Sequence, residues 1–155
     1  MELEQTNQRA DGGRMDLMKE RQQAVVTEFA ALNDWEDRYK KLIEIGKSLP
    51  ELPDAKKTED SKVKGCQSQV WMHAHVEDGK IVFEADSDAL LVRGIVALLL
   101  RVYSNATPAQ ILSEAPDFVK EIGLESKLSP SRANGLYSMI KQMKFYAMAY
   151  QVKLG

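Results

Sequence analysis

The dipeptide Asp78-Gly79 constrains this chain more than any other feature, because a two-residue hairpin loop of type I′ needs positive φ at both central positions and Asp-Gly adopts them readily. On its N-terminal side the apolar period is two: Val70, Met72, Ala74 and Val76 fall on one face, Trp71, His73 and His75 on the other. Counting outward from the turn pairs Glu77 with Lys80, Val76 with Ile81, His75 with Val82, Ala74 with Phe83 and His73 with Glu84. That register turns Val76/Ile81 and Ala74/Phe83 toward a core and sets opposite or compatible charges on the other face. A short strand around Lys62–Lys64 is a candidate third member of the sheet, with Gly65-Cys66 at the bend.

The remainder reads at helical period. Val25, Phe29 and Leu32 recur along an amphipathic helix spanning Asp16–Leu32. Asn33, with Glu36 three positions on, has the pattern of a capping box for a second helix whose face is Trp35, Tyr39, Leu42, Ile43 and Gly46, ended by Pro50. Pro50–Asp60 reads as a loop. Asp86 or Ser87 is the expected cap of a helix over Asp88–Tyr103, apolar nearly all round and therefore buried under the hairpin. Gly94 inside that helix costs helix stability, which points to close approach of another backbone. Thr107-Pro108 starts a shorter helix, Ala115-Pro116 ends it or starts the next, and Gly123 closes that one. Ser129-Pro130 opens a long terminal helix with Ala133, Leu136, Ile140, Met143 and Ala147 inward, and the cluster Met143, Tyr146, Met148 and Tyr150 reads as packing. Helices, hairpin, helices is an α+β order: a small antiparallel sheet, the hairpin plus a possible third strand, covered by helices. Residues 1–14 are polar and read as a mobile tail or vector remnant, and residues 15–155 as one domain.

Composition narrows the function classes. At 44% hydrophobic and 28% charged residues the chain belongs with globular rather than disordered proteins. The longest apolar run, Ala89–Leu100, is interrupted by Arg93 and too short to span a bilayer. A net charge of −2, with no basic cluster interleaved with aromatics, disfavours nucleic acid as a partner. The polar N-terminus lacks a secretory pattern, which places the protein in the cytoplasm, a reducing compartment.

Against this background Cys66, the sole cysteine, stands out. One thiol closes no intramolecular disulfide, and with two histidines it is a thin ligand supply for a structural metal. Either it is a small buried hydrophobe or it is a nucleophile. Its setting is polar: Lys62 and Lys64 precede it, Gly65 frees the backbone for a sharp bend, and Gln67, Ser68 and Gln69 follow with donors able to stabilise a thiolate. Arg132 is the second oddity, a cation in the first turn after Ser129, where the helix dipole favours acids. It serves either an ordinary salt bridge or an anion, a carboxylate ordering the reactive loop or a sulfur anion. His73 and His75 share a strand face, but solvent-exposed alternation explains them without a metal. Helix capping likewise explains Asp86 and Asp88.

Four segments, Lys41–Pro53, Lys62–Trp71 (KVKGCQSQVW), Ala85–Leu100 and Leu128–Leu136 (LSPSRANGL), resemble the SufE family of sulfur acceptor proteins in order and spacing, from about Asp16 to Ala149. The resemblance implies an α+β fold shared with IscU-type scaffolds. It also implies a partner, a SufS-like cysteine desulfurase whose pyridoxal phosphate stays with it; this chain would need no cofactor and no metal. Cys66 would accept the persulfide sulfur, stimulate the desulfurase by draining its product, and pass the sulfur to a SufB-like iron–sulfur scaffold. By the same match Arg132 lies near the desulfurase-facing surface, and Asp88 matches a position tied to mobility of the cysteine loop; Gly65 and Gln67 flank the acceptor. The chain departs from the family at Lys127, where a histidine is frequent, and at Asn105-Ala106, where glycine-lysine is frequent. Such a protein is a carrier as much as an enzyme, and the resemblance is compatible with a monomer or a weak homodimer. The competing readings are a thiol enzyme, a hydrolase or peroxidase using Cys66 with a nearby base, and a non-catalytic binding module with an inert cysteine.

Overall fold

The computed structural model describes residues 17–154. The expected tail, and residue 16 at the expected start of the first helix, lie outside the described residues. Helix α1 covers residues 17–30, and α2 covers Trp35–Ser48. Two single 3-10 turns, Asp54–Lys56 and Glu59–Ser61, order much of the segment between Pro50 and Lys62. Strands β1 (Val70–Glu77) and β2 (Lys80–Ser87) form the hairpin, followed by α3 (Leu90–Tyr103), α4 (Pro108–Ser113), α5 (Asp117–Glu121), α6 (Leu124–Lys127) and α7 (Pro130–Leu154). The fold is α+β, as expected.

The hairpin register is the one counted from the turn, Glu77 opposite Lys80 through His73 opposite Glu84, and it continues to Val70 opposite Ser87. Asp78 and Gly79 have φ of 52° and 75°, the backbone a type I′ turn requires. The third strand is reduced to an isolated bridge: Lys62 faces Trp71, and the Val63 amide donates to the Val70 carbonyl at 2.8 Å. Gly65, at φ +90°, turns the chain away before pairing can extend.

The alternation of β1 holds only in part. Val70 and Met72 are buried, but so is Trp71, because the loop after α2 folds over that face and Lys57 Nζ sits 5.4 Å from the Trp71 ring centroid. Ala74 and Val76 are only half-buried.

Two capping expectations are corrected. The N-cap of α2 is Asp34, one residue after Asn33, and its carboxylate accepts from the Asp37 amide at 2.9 Å. Helix α3 begins after Ala89, which has no side chain to cap it. Asp86, fully buried, is instead ion-paired to Arg93 and accepts from the Leu52 amide at 2.9 Å. Arg93 also donates from Nε to the Gly46 carbonyl at 3.0 Å and from its second terminal nitrogen to the Leu49 carbonyl. A buried carboxylate needs such a partner more than a helix start needs a cap. The pair ties the end of β2, the first turns of α3 and the C-terminus of α2 into one unit.

Gly94 is explained as expected. A Cβ there would overlap the Leu42 carbonyl of α2, and one at Gly46 would overlap the Leu90 carbonyl of α3, so the two helices cross with backbones in contact. Helix α7 lies along the domain with Leu136, Ile140, Met143 and Ala147 buried, Tyr146 edge-on to Phe83 and the Tyr150 hydroxyl donating to the Ala74 carbonyl. Met148, expected to pack, is 52% exposed. No helix among the described residues is long and apolar enough to cross a membrane.

Candidate functional site around Cys66

Cys66 follows the Gly65 turn and stands half-buried against α7. A glycine on the helix and one on the loop lie at this contact. A Cβ on Gly135 would stand 3.5 Å from Cys66 Sγ, and a Cβ on Gly65 would come within 2.6 Å of Ser138 Oγ. Only the second is a clash: glycine at position 65 lets the loop lie flat on the helix, whereas the distance at Gly135 is ordinary van der Waals contact. The sulfur sits in a small cleft whose floor is apolar (Val70, Val92, Ile95, Leu136 and Met139) and whose rim carries Gln67, Ser68, Ser131 and Arg132.

The thiol is protected rather than activated at rest. Its hydrogen bond runs outward, Sγ donating to the Gly135 carbonyl at 3.5 Å, an arrangement that requires the proton to be present. Burial pushes the Cys66 thiol pKa up, the direction opposite to that of a prepared nucleophile. Of the expected thiolate stabilisers, Lys62 pairs with Glu59 at 2.8 Å and Gln69 is held by Asp88, while Gln67 and Ser68 line the cleft beside the sulfur.

Asp88 works as a clamp. Its carboxylate accepts from the Gln69 amide at 3.1 Å and from Gln69 Nε2 at 3.3 Å, while its own amide donates to the Gln69 carbonyl at 3.3 Å. Gln69 is the last residue of the loop before β1, so the clamp holds the loop at its C-terminal root; Gly65 marks the other end. Arg132 is exposed at the start of α7, and its amide donates to Ser129 Oγ at 3.3 Å, as a first-turn residue after a serine cap does. Its guanidinium forms no ion pair with a described residue and lines the same cleft as Cys66. Gln67 is exposed on the loop.

The histidines lie apart from this cleft. His73 Nε2 is 2.7 Å from the Lys56 carbonyl, Glu84 opposite it is taken by Lys56 at 3.1 Å, and His75 lies 3.5 Å from Glu77. Among the described residues no three His, Cys, Asp or Glu side chains are grouped to hold a metal ion.

A family model described as SufE, Fe–S metabolism associated domain, matches residues 23–147. The chain belongs to the SufE family. It is 46% identical over 125 residues to an uncharacterised SufE-like protein of Rhizobium meliloti, spanning 77% of this chain and 89% of that one. It is 40% identical over 113 residues to the sulfur acceptor protein CsdE of Escherichia coli, spanning 72% and 77%. A solution structure of a hypothetical protein from Thermus thermophilus superposes with a TM-score of 0.68 at 23% identity, covering 88% of this chain and 97% of that one, which shows the same fold.

Within this SufE fold the residues singled out from sequence, Cys66, Gly65, Gln67, Asp88 and Arg132, fall around one loop. Sequence reasoning passed over Gly135 and Ser138, which seat the loop, and Gln69 as the partner of Asp88. Gly135, a glycine inside a helical pattern, lies in ordinary contact with Cys66 and not in the backbone-to-backbone approach found at Gly94. The Asp88–Gln69 contact carried no signal in the sequence, because it joins positions 19 apart through the tertiary fold.

Proposed function

We propose that this chain is a persulfide carrier that takes sulfur from a pyridoxal-phosphate cysteine desulfurase onto Cys66 and delivers it to a SufB-like scaffold for iron–sulfur cluster assembly. Membership of the SufE family and likeness to a protein named as a sulfur acceptor support the acceptor role. The observation that carries it is the seating of the only cysteine at the mouth of a cleft, on a loop with a glycine at one root and a hydrogen-bonded clamp at the other.

The step is an exchange between sulfurs. Cys66, as thiolate, attacks the outer sulfur of the donor's persulfide; the donor's S–S bond breaks, its cysteine leaves as thiolate and takes up the proton Cys66 released, and Cys66 becomes the persulfide. No net oxidation or reduction occurs. Half-buried in its cleft and with its thiol pKa raised by burial, Cys66 reacts faster once it moves outward, because rate follows thiolate fraction and access. Docking of the donor supplies that movement by lifting the loop off α7, and a return to the cleft afterwards limits loss of the cargo to solvent thiols. With no second cysteine in the chain, nothing within it resolves the persulfide to a disulfide.

A thiol hydrolase or peroxidase is disfavoured by the cleft itself, whose lining among the described residues holds no imidazole and no carboxylate to serve as base. Incubation with a desulfurase and free cysteine, followed by mass spectrometry of the intact chain, should show one added sulfur that maps to Cys66 and is absent from Cys66→Ser. A hydrolase or an inert module would gain none.

A further inference from the structure

The Cys66 loop crosses α7 between two different surfaces. On one side is the apolar cleft with Arg132 at its rim. On the other is a broad open cleft lined by Lys62, Lys64, Ser138, Lys141, Gln142 and Phe145, with Asp60 at its edge. The two share a wall, because Gly65 rests on Ser138, so the second cleft begins one residue from the reactive sulfur.

Its character is unusual for this chain. Although the net charge is −2, Lys64 and Lys141 form no ion pair with a described residue, while Lys62 is answered by Glu59 at 2.8 Å and Lys144, a turn away, donates to the Glu114 carbonyl at 3.0 Å. Phe145, on the wall of this cleft, is 58% exposed, and Met148, three positions on along the helix and lining the groove on the far side, is 52% exposed. Phe145 and Lys141 also line the groove on the far side, toward Pro116 and Ile140, so Phe145 is a ridge between two hollows. Large apolar side chains left in water beside unpaired ammonium groups mark a surface completed by something apolar and acidic.

We infer that this basic, Phe145-centred face of α7 is a docking surface for an acidic segment of the sulfur donor, one that carries an apolar side chain to cover Phe145. The inference rests on the carrier reading. Lys64 and Gly65 immediately precede Cys66 in the chain, so the second cleft adjoins the place where a persulfide is brought to the sulfur. Lys64 and Lys141 steer the acidic segment, and Phe145 supplies the contact that holds it.

The test is the affinity of the full chain for a purified SufS-type cysteine desulfurase, measured by calorimetry at low and at moderate salt. Lys141→Glu should weaken binding about tenfold at low salt, with the difference shrinking as salt rises. Phe145→Ala should weaken it about tenfold at both salts. Lys153→Glu, the same charge change near the end of the same helix, should stay within about twofold of the unaltered chain. Coincident thermal melts show that the variants are folded. If the unaltered chain takes up sulfur from the desulfurase but Lys141→Glu and Phe145→Ala bind as tightly as Lys153→Glu, the docking surface is wrong and the carrier reading stands. If the unaltered chain takes up no sulfur, both fall.

Discussion

The Cys66 sulfur donates its proton to the main-chain oxygen of Gly135, 3.5 Å away on α7. A carbonyl oxygen repels a thiolate and welcomes a thiol, so this contact and burial act in the same direction: both favour the protonated form of Cys66. The seat on α7 keeps Cys66 a neutral thiol.

The first expected consequence is in pH. Because burial raises the thiol pKa of the folded chain above that of the unfolded one, the folded state holds the proton over a window in which the unfolded state has lost it. The contribution to stability is therefore complete below the unfolded thiol pKa and declines as pH rises toward the folded value. Urea midpoints of the unaltered chain and Cys66→Ala, compared from neutral to alkaline pH, should diverge with the unaltered chain losing more. Parallel curves would show a thiol that titrates as if free.

Loosening the clamp should expose the sulfur. Asp88→Ala removes the acceptor of both Gln69 donors and leaves the fold intact, since Asp88 is exposed and its bonds net about 1 kcal/mol. Alkylation of Cys66 by iodoacetamide should speed up several-fold while the melting temperature moves by a few degrees. An unchanged rate would mean that the loop opens at its Gly65 root alone.

Gly65→Ala acts at that other root. The position has φ of +90°, and a Cβ would come within 2.6 Å of Ser138 Oγ, so the loop must shift outward or the backbone must absorb strain of about 1–3 kcal/mol. The double variant Gly65→Ala/Ser138→Gly relieves the clash while keeping the strained φ. Comparing alkylation rates of the two separates the clash from the conformational cost; equal rates would assign the whole effect to φ.

The α2–α3 crossing should tolerate no side chain. Gly94→Ala drives a methyl into the Leu42 carbonyl and should cost about 3 kcal/mol, read as a lowered urea midpoint. A neutral result would show that the helices separate easily.

Asp86→Ala should be at least as damaging, by about 3–5 kcal/mol, because it leaves the Arg93 guanidinium in the interior without its carboxylate. Replacing both, as Asp86→Leu/Arg93→Met, should recover much of that loss. Recovery distinguishes an uncompensated charge from a role of Asp86 in holding the Leu52 amide.

What was legible in the amino-acid sequence was whatever local stereochemistry dictates. Asp78-Gly79 and the period of two set the hairpin and its register; Thr107-Pro108, Gly123 and Ser129-Pro130 set helix starts and stops; Gly94 announced a close crossing. Cys66 stood out because it is unique, and the motifs around it and around Arg132 carried the family. Tertiary structure alone decided the rest, because those choices are made between groups far apart in the chain. Asp86 and Asp88 look alike as neighbours of a helix start, yet one is buried against Arg93 and the other clamps Gln69 at the surface. Trp71 belongs by alternation to an exposed face and is buried because the loop carrying Lys57 covers it. Whether a polar-looking loop holds a thiolate or a sheltered thiol depended on desolvation by α7, a helix that begins 64 residues later. Solvent exclusion is a property of packing, and no local run of residues encodes it.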